Sequence, residues 1–154
     1  VEVMGRGAGD IALWAGVAGA ASDVIIPEHD FDVKKVAEKL RASREAGQKH
    51  AVIVLAEGVM HADEFAKELS AYGDFQLRST VLGHVVRGGS PTARDRVLAS
   101  EMGAYAVELL LEGKGGLAIG IQNNKLVNHN MLDLFDAKHE AQLDLYDLAH
   151  DLSI

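Results

Sequence analysis

Two short runs of apolar residues set the fold class of this chain. Val24-Ile25-Ile26 and Ala51–Leu55 contain no polar residue at all. A strand with that pattern is covered on both faces, as in a parallel sheet that has helices on each side. Longer segments with helical spacing separate these runs, which is the alternation expected of βαβ units. We therefore predict an α/β fold, with a three-layer α/β/α arrangement around a mostly parallel sheet.

Capping residues, prolines and glycines give the expected ends of the other elements. Helices are predicted over four segments, with Asp10, Asp32 and Ser90 as caps: Asp10–Ala21, Asp32–Ala46, Ala62–Tyr72 and Ser90–Glu112. Further strands are predicted over Val1–Met4, Gln76–Leu82, Leu117–Gln122 and Lys125–Asn128. The acidic region from Asn130 to the end predicts one amphipathic helix or two.

Composition removes several classes of partner. The net charge of −8 argues against nucleic acid or an anionic membrane as a partner. The absence of cysteine excludes disulfides and thiolate metal sites, and the 7 histidines lack the H-E-x-x-H spacing, so we expect no metal site. No apolar run reaches the roughly 18 residues that span a bilayer, and no signal peptide is visible. We therefore expect a cytoplasmic protein.

The start of the chain points to a longer polypeptide. With 154 residues the chain can form one domain with a sizeable core. It opens on Val1-Glu2-Val3-Met4, which reads as the middle of a core strand. Because proteins seldom begin inside such a strand, we expect the sequence to be a piece of something longer.

Parallel sheets bind ligands at the C-terminal ends of their strands, which selects the loops Gly5–Asp10, Glu57–Met60 and Gly83–Ser90. In the first loop, alternating glycines let free N–H groups approach an anion, and Arg6 adds a positive charge. A plain strand-to-helix turn fits the same spacing equally well. The pattern G-x-G-x-G does not match the dinucleotide fingerprint, so the glycines alone do not predict a nucleotide cofactor.

The third loop carries basic residues that can hold a phosphate. Arg78, His84 and Arg87 are grouped near one predicted strand end in a chain of net charge −8. A guanidinium grips phosphate with two parallel hydrogen bonds, and an imidazole adds a donor. Taken singly, each could be an ordinary surface residue. Glu57, directly after a predicted buried strand, could accept hydrogen bonds from sugar hydroxyls, although most glutamates in such places only face solvent.

Six motifs occur in this order along the chain: Val1-Glu2-Val3-Met4-Gly5-Arg6, Ala56-Glu57-Gly58, the segment from Thr80 to Pro91 with G-H-x-x-R-G-G-x-P, Asp95–Ser100, Met102–Ala106 and Gly120–Asn123. Together they resemble one family, the bacterial-type 6-phosphofructokinases. The similarity covers essentially the whole chain. It implies the C-terminal half of an enzyme that transfers the γ-phosphoryl group of ATP to fructose 6-phosphate in glycolysis, the half that binds the sugar.

The resemblance implies roles for seven residues. Four would contact the sugar: Met4, Gly5, Arg6 and Glu57. Arg6 would also lie near the transferring phosphoryl group and stabilise its charge. Three more would hold fructose 6-phosphate: Arg78, His84 and Arg87. In this family the equivalent of Arg78 reaches the site of a neighbouring subunit, so the complete pocket is expected at an interface of a homotetramer.

By the same resemblance, the parts that handle the nucleotide are missing. The phosphate loop and the catalytic base aspartate of the family would lie before Val1, so ATP and Mg²⁺ would be held mainly by the missing N-terminal half. We expect residues 1–90 to form the sugar-binding part and residues 91–137 to pack on the absent ATP domain. Residues 138–154 would form a helix that returns to the sugar-binding part. The chain alone is predicted to be inactive.

The sequence departs from the family at two places. Gly7-Ala8 follow Arg6, where the family usually has an aromatic residue or histidine and then a cysteine. The second departure is the effector pocket, in which the family uses a carboxylate and several cations to bind ADP or phosphoenolpyruvate. The corresponding positions here are Ala20, Ser22, Ala46, Gln48, Lys49 and His50. We expect a weak allosteric response, unless Asp23 or upstream residues restore the site.

Two other functions remain open. A pyrophosphate-dependent phosphofructokinase would share this half, because the donor is chosen in the missing half. From a different class, the chain could be a non-catalytic module that binds a sugar phosphate or supports assembly.

Overall fold

The computed structural model describes residues 1–137 and 142–152 of the chain. Its elements in chain order are β1 (Glu2–Val3), α1 (Asp10–Ala18), β2 (Asp23–Ile25), α2 (Val33–Glu45), β3 (Ile53–Ala56), α3 (Ala62–Ser70), a 3₁₀ helix (Gly83–Arg87), α4 (Ala93–Leu111), β4 (Leu117–Gln122), β5 (Lys125–Asn130), α5 (Met131–Asp136) and α6 (Leu143–Asp151). The chain divides into two compact units. The first contains Val1–Gly88 and α6, and the second begins at Gly89 and contains α4 to α5.

The first unit is built on a parallel sheet of three strands in the order β1-β3-β2. Glu2 lies opposite Leu55, and Asp23 lies opposite Ile53. Almost every strand residue is buried, which explains why the sequence runs are apolar without alternation.

Helices cover both faces of this sheet. Val24 and Val54 pack with Leu13 of α1 and Ala149 of α6. On the opposite face, the core consists of residues from β2, β3, α2 and α3: Ile25, Val33, Val36, Ala37, Leu55, Phe65 and Leu69. The predicted three-layer α/β/α arrangement with a parallel sheet is thus confirmed.

The α6 helix is fastened to the first unit by polar contacts as well. Asp23 is only 7% exposed, and its Oδ1 lies 3.6 Å from both Lys39 Nζ and His150 Nε2. Tyr146 stacks on His29, and burial raises the pKa of the Tyr146 hydroxyl, as do the nearby carboxylates of Asp23 and Asp147. Of the predicted C-terminal segment 138–154, residues 138–141 and 153–154 lie outside the described residues.

The second unit has a different architecture. Strands β4 and β5 form an antiparallel hairpin, and Asn123 and Asn124 both have positive φ at its turn. The predicted strand pair is confirmed here. Of the 19 residues of α4, only Leu109 is buried.

Three local predictions were wrong. Gln76–Leu82 is not a strand, because Phe75 and Leu77 pack beside α2 and α3, and only one parallel bridge forms, between Glu2 and Val81. Thr92, not Ser90, caps α4, because Thr92 and Asp95 bond each other's backbone N–H groups reciprocally. Asp10 is the first residue of α1, and Gly9 occupies the cap position.

Candidate functional site

The loops after β1 and β3 are joined through their backbones. The Glu57 N–H donates to Val3 O at 2.9 Å, and the Gly58 N–H donates to Gly5 O at 2.9 Å. The Gly5 N–H points to Glu57 Oε1 at 3.4 Å. Since β1 and β3 are neighbouring parallel strands, their C-terminal ends meet, and Glu57 is held beside the loop that carries Arg6.

Glycine is required at both sides of this contact. Gly5 has φ +142°, a conformation that side chains rarely adopt. At Gly58 an added Cβ would overlap the carbonyl group of Arg6. The glycines therefore allow two loops to approach closely at the position of Arg6 and Glu57.

The free N–H groups expected in the first loop are partly occupied. The Gly9 N–H donates to Glu28 Oε1 at 2.8 Å, so a carboxylate of the protein occupies that donor. The Gly5 N–H faces Glu57 in the same way. Arg6 itself is exposed. The loop thus offers a ligand the guanidinium of Arg6 rather than a cradle formed by all its amides.

The third loop reaches the first through Arg87. Arg87 Nε donates to Met4 Sδ at 3.3 Å, which places this guanidinium beside the residue that precedes Gly5. His84 lies on the same 3₁₀ helix and is exposed. Val86, between them in sequence, packs against the core shared by α1 and α6 and so fixes this helix to the unit.

Arg78 stands apart from the other basic residues. It lies in the irregular segment before Val81 and is exposed. Among the described residues, no hydrogen bond or ion pair joins it to Arg6, Glu57 or Arg87. Direct contacts thus join Met4, Gly5, Glu57 and Arg87, and Arg6 follows Gly5 in the same loop. Neither His84 nor Arg78 has a side-chain hydrogen bond to these residues within the described part of the chain.

The predicted effector positions lie at the opposite ends of the strands. The Ser22 N–H donates to Val52 O at 2.7 Å, and the Val52 N–H donates to Ser22 Oγ at 3.3 Å. Ala20 has φ +49°, a left-handed conformation that is unusual for a residue with a side chain. The remaining positions follow α2 in the loop that leads to β3: Ala46, Gln48, Lys49 and His50.

The effector pocket of the family contains a carboxylate that this chain lacks at Ser22. Asp23, the neighbouring acid, could have replaced it, but its side chain has another role. Its carboxylate is buried against Lys39 and His150, and its Oδ1 also accepts from its neighbour's Val24 N–H at 3.0 Å. Serving an effector at the Ser22 position would mean breaking these contacts.

Sequence reasoning missed two acidic residues that hold the loops. Glu28 bonds Gly9, and Glu2, buried on β1, bonds the first residue of α3. The available signal for Glu2 was a charged residue inside a run of core residues, because a charge in such a place needs a partner. Within residues 1–137 and 142–152, no three histidine or acidic side chains gather to hold a metal ion, and no helix is long and apolar enough to cross a membrane.

Comparison with known proteins identifies the family. The family model described as Phosphofructokinase matches residues 1–110. The chain belongs to the phosphofructokinase family. It is 76% identical over 153 residues to the ATP-dependent 6-phosphofructokinase of Lacticaseibacillus casei, covering 99% of this chain and 48% of the relative. It is 61% identical to the enzyme of that name from Enterococcus faecalis, with the same shares covered. The chain thus spans about half the length of these curated phosphofructokinases.

Solved phosphofructokinases share the fold. The structure of phosphofructokinase from Saccharomyces cerevisiae superposes with a TM-score of 0.76 at 30% identity, over 99% of this chain and 22% of that chain. A pyrophosphate-dependent phosphofructokinase from Marinobacter aquaeolei gives a TM-score of 0.68 at 27% identity, over 84% of this chain and 38% of that one.

Proposed function

We propose that this phosphofructokinase chain is the C-terminal, fructose 6-phosphate-binding half of an ATP-dependent 6-phosphofructokinase, a glycolytic enzyme of the cytoplasm. The observation that carries the proposal is the joining of Arg6 and Glu57 through the backbone contact at Gly58, with Arg87 held beside Met4. This arrangement provides, on joined loops, a carboxylate that can accept hydrogen bonds from sugar hydroxyls and cations that can hold a phosphate.

Each residue has a role in this proposal. Glu57, with the backbone at Met4 and Gly5, orients the sugar. His84 and Arg87 bind the 6-phosphate, and Arg78 completes that site in a neighbouring subunit of a homotetramer. Arg6 stabilises the charge that develops on the transferring phosphoryl group, since phosphoryl transfer is mostly positioning and charge neutralisation.

ATP is proposed as the donor because of how similar the relatives are. The curated relatives at 76% and 61% identity are named ATP-dependent, whereas the pyrophosphate-dependent structure is 27% identical. We propose that ATP, Mg²⁺ and the catalytic base are held mainly by the other half of the enzyme, as the family resemblance implies.

The second unit is proposed to pack on that other half. Three large apolar side chains there are widely exposed: Leu110 at 65%, Leu111 at 83% and Phe135 at 76%. Exposed apolar side chains of this size are typical of surfaces that are covered in a larger assembly.

A coupled assay tests the proposal on the intact protein and on this chain alone. We expect turnover that requires fructose 6-phosphate and ATP in the intact protein, and little or none with pyrophosphate. The chain alone should be inactive, because base, metal and phosphate contacts together supply many orders of magnitude in rate. Turnover with pyrophosphate but not ATP would contradict the donor assignment, and turnover by the chain alone would contradict the division into halves.

A non-catalytic module is the second candidate, because the chain spans 48% of its relatives. The same assay contradicts this second candidate if the intact protein turns over fructose 6-phosphate and ATP. Calorimetric titration of the chain with fructose 6-phosphate then shows what the sugar-binding part does by itself.

A further inference from the structure

Glu2 is a charged residue in the core of the first unit. Its side chain is 6% exposed. Glu2 Oε2 accepts a hydrogen bond from the Ala62 N–H at 2.7 Å, and Oε1 lies 3.4 Å from His61 Nδ1. Ala62 is the first residue of α3, and His61 at the cap position makes no capping bond with its side chain. Glu2 therefore caps α3 from a neighbouring strand.

Stability alone gives a poor reason for an acid at this position. A buried carboxylate is costly unless it is well compensated, and an apolar residue of similar size often serves a core as well or better. In the part of the chain that the structure describes, no lysine or arginine lies within ion-pair distance of Glu2. Its partners are one backbone amide, one largely exposed histidine and the positive end of a helix.

The position of Glu2 connects the three site loops. Its strand leads within two residues to Met4 and the Arg6 loop. Its backbone N–H donates to Thr80 O at 2.8 Å and its carbonyl accepts from the Leu82 N–H at 3.1 Å, next to the 3₁₀ helix. Its side chain holds the start of α3, where the Glu57 loop ends.

We propose that Glu2 is a positioning residue of the sugar site, an inference that rests on the function proposed above. The segment from Glu57 to His61 is held at its start by the backbone bonds to Val3 and Gly5, and at its end by the Glu2 carboxylate. With both ends fixed, Glu57 stays against the Gly5 N–H. Without the cap, the first turn of α3 frays and Glu57 is in position less often, so sugar affinity falls.

The test uses Glu2→Ala and Glu2→Gln in the intact phosphofructokinase. We expect Glu2→Ala to raise the KM for fructose 6-phosphate about fivefold to tenfold, the effect of losing one capping bond. The KM for ATP should change by less than about twofold, because Glu2 is not proposed to position any group that binds ATP. Glu2→Gln should restore most of the sugar affinity, because its amide oxygen can still accept from Ala62.

Ala62→Pro tests the same bond from the other side, and serves if Glu2→Ala does not fold. Proline is well tolerated at the first position of a helix, and His61 already has the extended backbone that precedes proline. It removes the N–H from which Glu2 accepts a hydrogen bond and puts the proline Cδ in its place, so the Glu2 carboxylate can no longer cap α3. We expect the same increase in the sugar KM.

Asp23→Asn is the control. Asp23 is a similarly buried acid on β2 of the same sheet, and its carboxylate contacts Lys39, His150 and the Val24 N–H rather than the Glu57 loop. This substitution should lower the melting temperature and leave the sugar KM unchanged. Suppose that Glu2→Ala and Ala62→Pro keep a normal KM for fructose 6-phosphate and normal turnover. That result would overturn the positioning role of Glu2 and leave the proposed function standing. An unsubstituted protein without such turnover would instead overturn the proposed function on which this role rests.

Discussion

The two ends of the parallel sheet have similar hydrogen-bonded frameworks but differ in the charged side chains that they carry. Where β1 and β3 end, two loops are joined by backbone bonds, and they carry charged side chains of the proposed sugar-phosphate site. Where β2 and β3 begin, the Ser22 N–H donates to Val52 O and the Val52 N–H donates to Ser22 Oγ, but Ala20, Ser22 and Ala46 carry no charge. A backbone framework can therefore persist without the side chains that bind a ligand, and only charged groups indicate which end binds an anion.

Gly58→Ala should have the largest effect, because it disrupts the contact between the two loops of the proposed sugar site. The added Cβ overlaps the carbonyl group of Arg6, so one of the two loops has to move. A displacement of about 1 Å at a reacting centre costs on the order of a hundredfold in rate. We expect at least that loss in kcat/KM for fructose 6-phosphate in the intact enzyme. Gly7→Ala is the control, because nothing lies within 4 Å of a Cβ there; equal losses in both variants would contradict the argument.

Removing single cations should weaken sugar binding less. Arg87→Ala, His84→Ala and Arg78→Ala each delete one charge-assisted hydrogen bond, worth roughly 1.5–3 kcal/mol, or on the order of tenfold to a hundredfold in affinity. Steady-state kinetics should show a higher KM for fructose 6-phosphate. Arg6→Ala should act mainly on kcat, since we propose that Arg6 stabilises charge in the transition state. Three unchanged KM values would mean that the phosphate is bound elsewhere.

The effector end should respond weakly to anionic ligands. Losing two charged contacts costs about 3 kcal/mol, a hundredfold or greater loss of effector affinity. Phosphoenolpyruvate or ADP, titrated at sub-saturating fructose 6-phosphate, should therefore have little effect except at high concentration. The double variant Ala46→Lys with Gln48→Lys should increase the response. Strong inhibition of the unsubstituted enzyme at low phosphoenolpyruvate would show that this end still binds anions.

Ala20→Gly should give the smallest effect and the opposite sign. A side chain in the left-handed region costs about 1–2 kcal/mol, and the flexibility of glycine in the unfolded chain offsets about half of that. We expect a net gain of about 1 kcal/mol or less in the free energy of unfolding, seen as a slightly higher melting temperature. Ala15→Gly, in the interior of α1, should lower it instead. A lower melting temperature in both variants would contradict the strain at Ala20.

The sequence predicts the sheet well because both faces of Val24–Ile26 are buried, and apolar runs report burial directly. It also places the loops of Arg6 and Glu57, because loop position follows from strand direction, whereas the segment before the 3₁₀ helix is not a strand. The roles of Arg6 and Glu57 came from resemblance rather than from spacing. Glu2 and Glu28 escaped notice because their partners, Ala62 and Gly9, are distant in sequence.

The failed strand Gln76–Leu82 has a related cause. Phe75 and Leu77 find burial beside α2 and α3, which no local pattern reveals, and the segment then meets the sheet only at Val81. A segment's burial against distant helices decides its conformation more than its own propensity does.

The place of Ala149 in the core has a consequence for synthesis. Ala149 belongs to the same buried cluster as Val3 and Leu13, so residues far apart in the sequence complete one core. During synthesis, the strands, α1 and the whole second unit leave the ribosome before α6 does. Until α6 packs, the core of the first unit is incomplete and part of its apolar surface is exposed to water. Closing so long a loop adds only slowly to the entropic cost of folding, but it makes this step late and sensitive to premature termination.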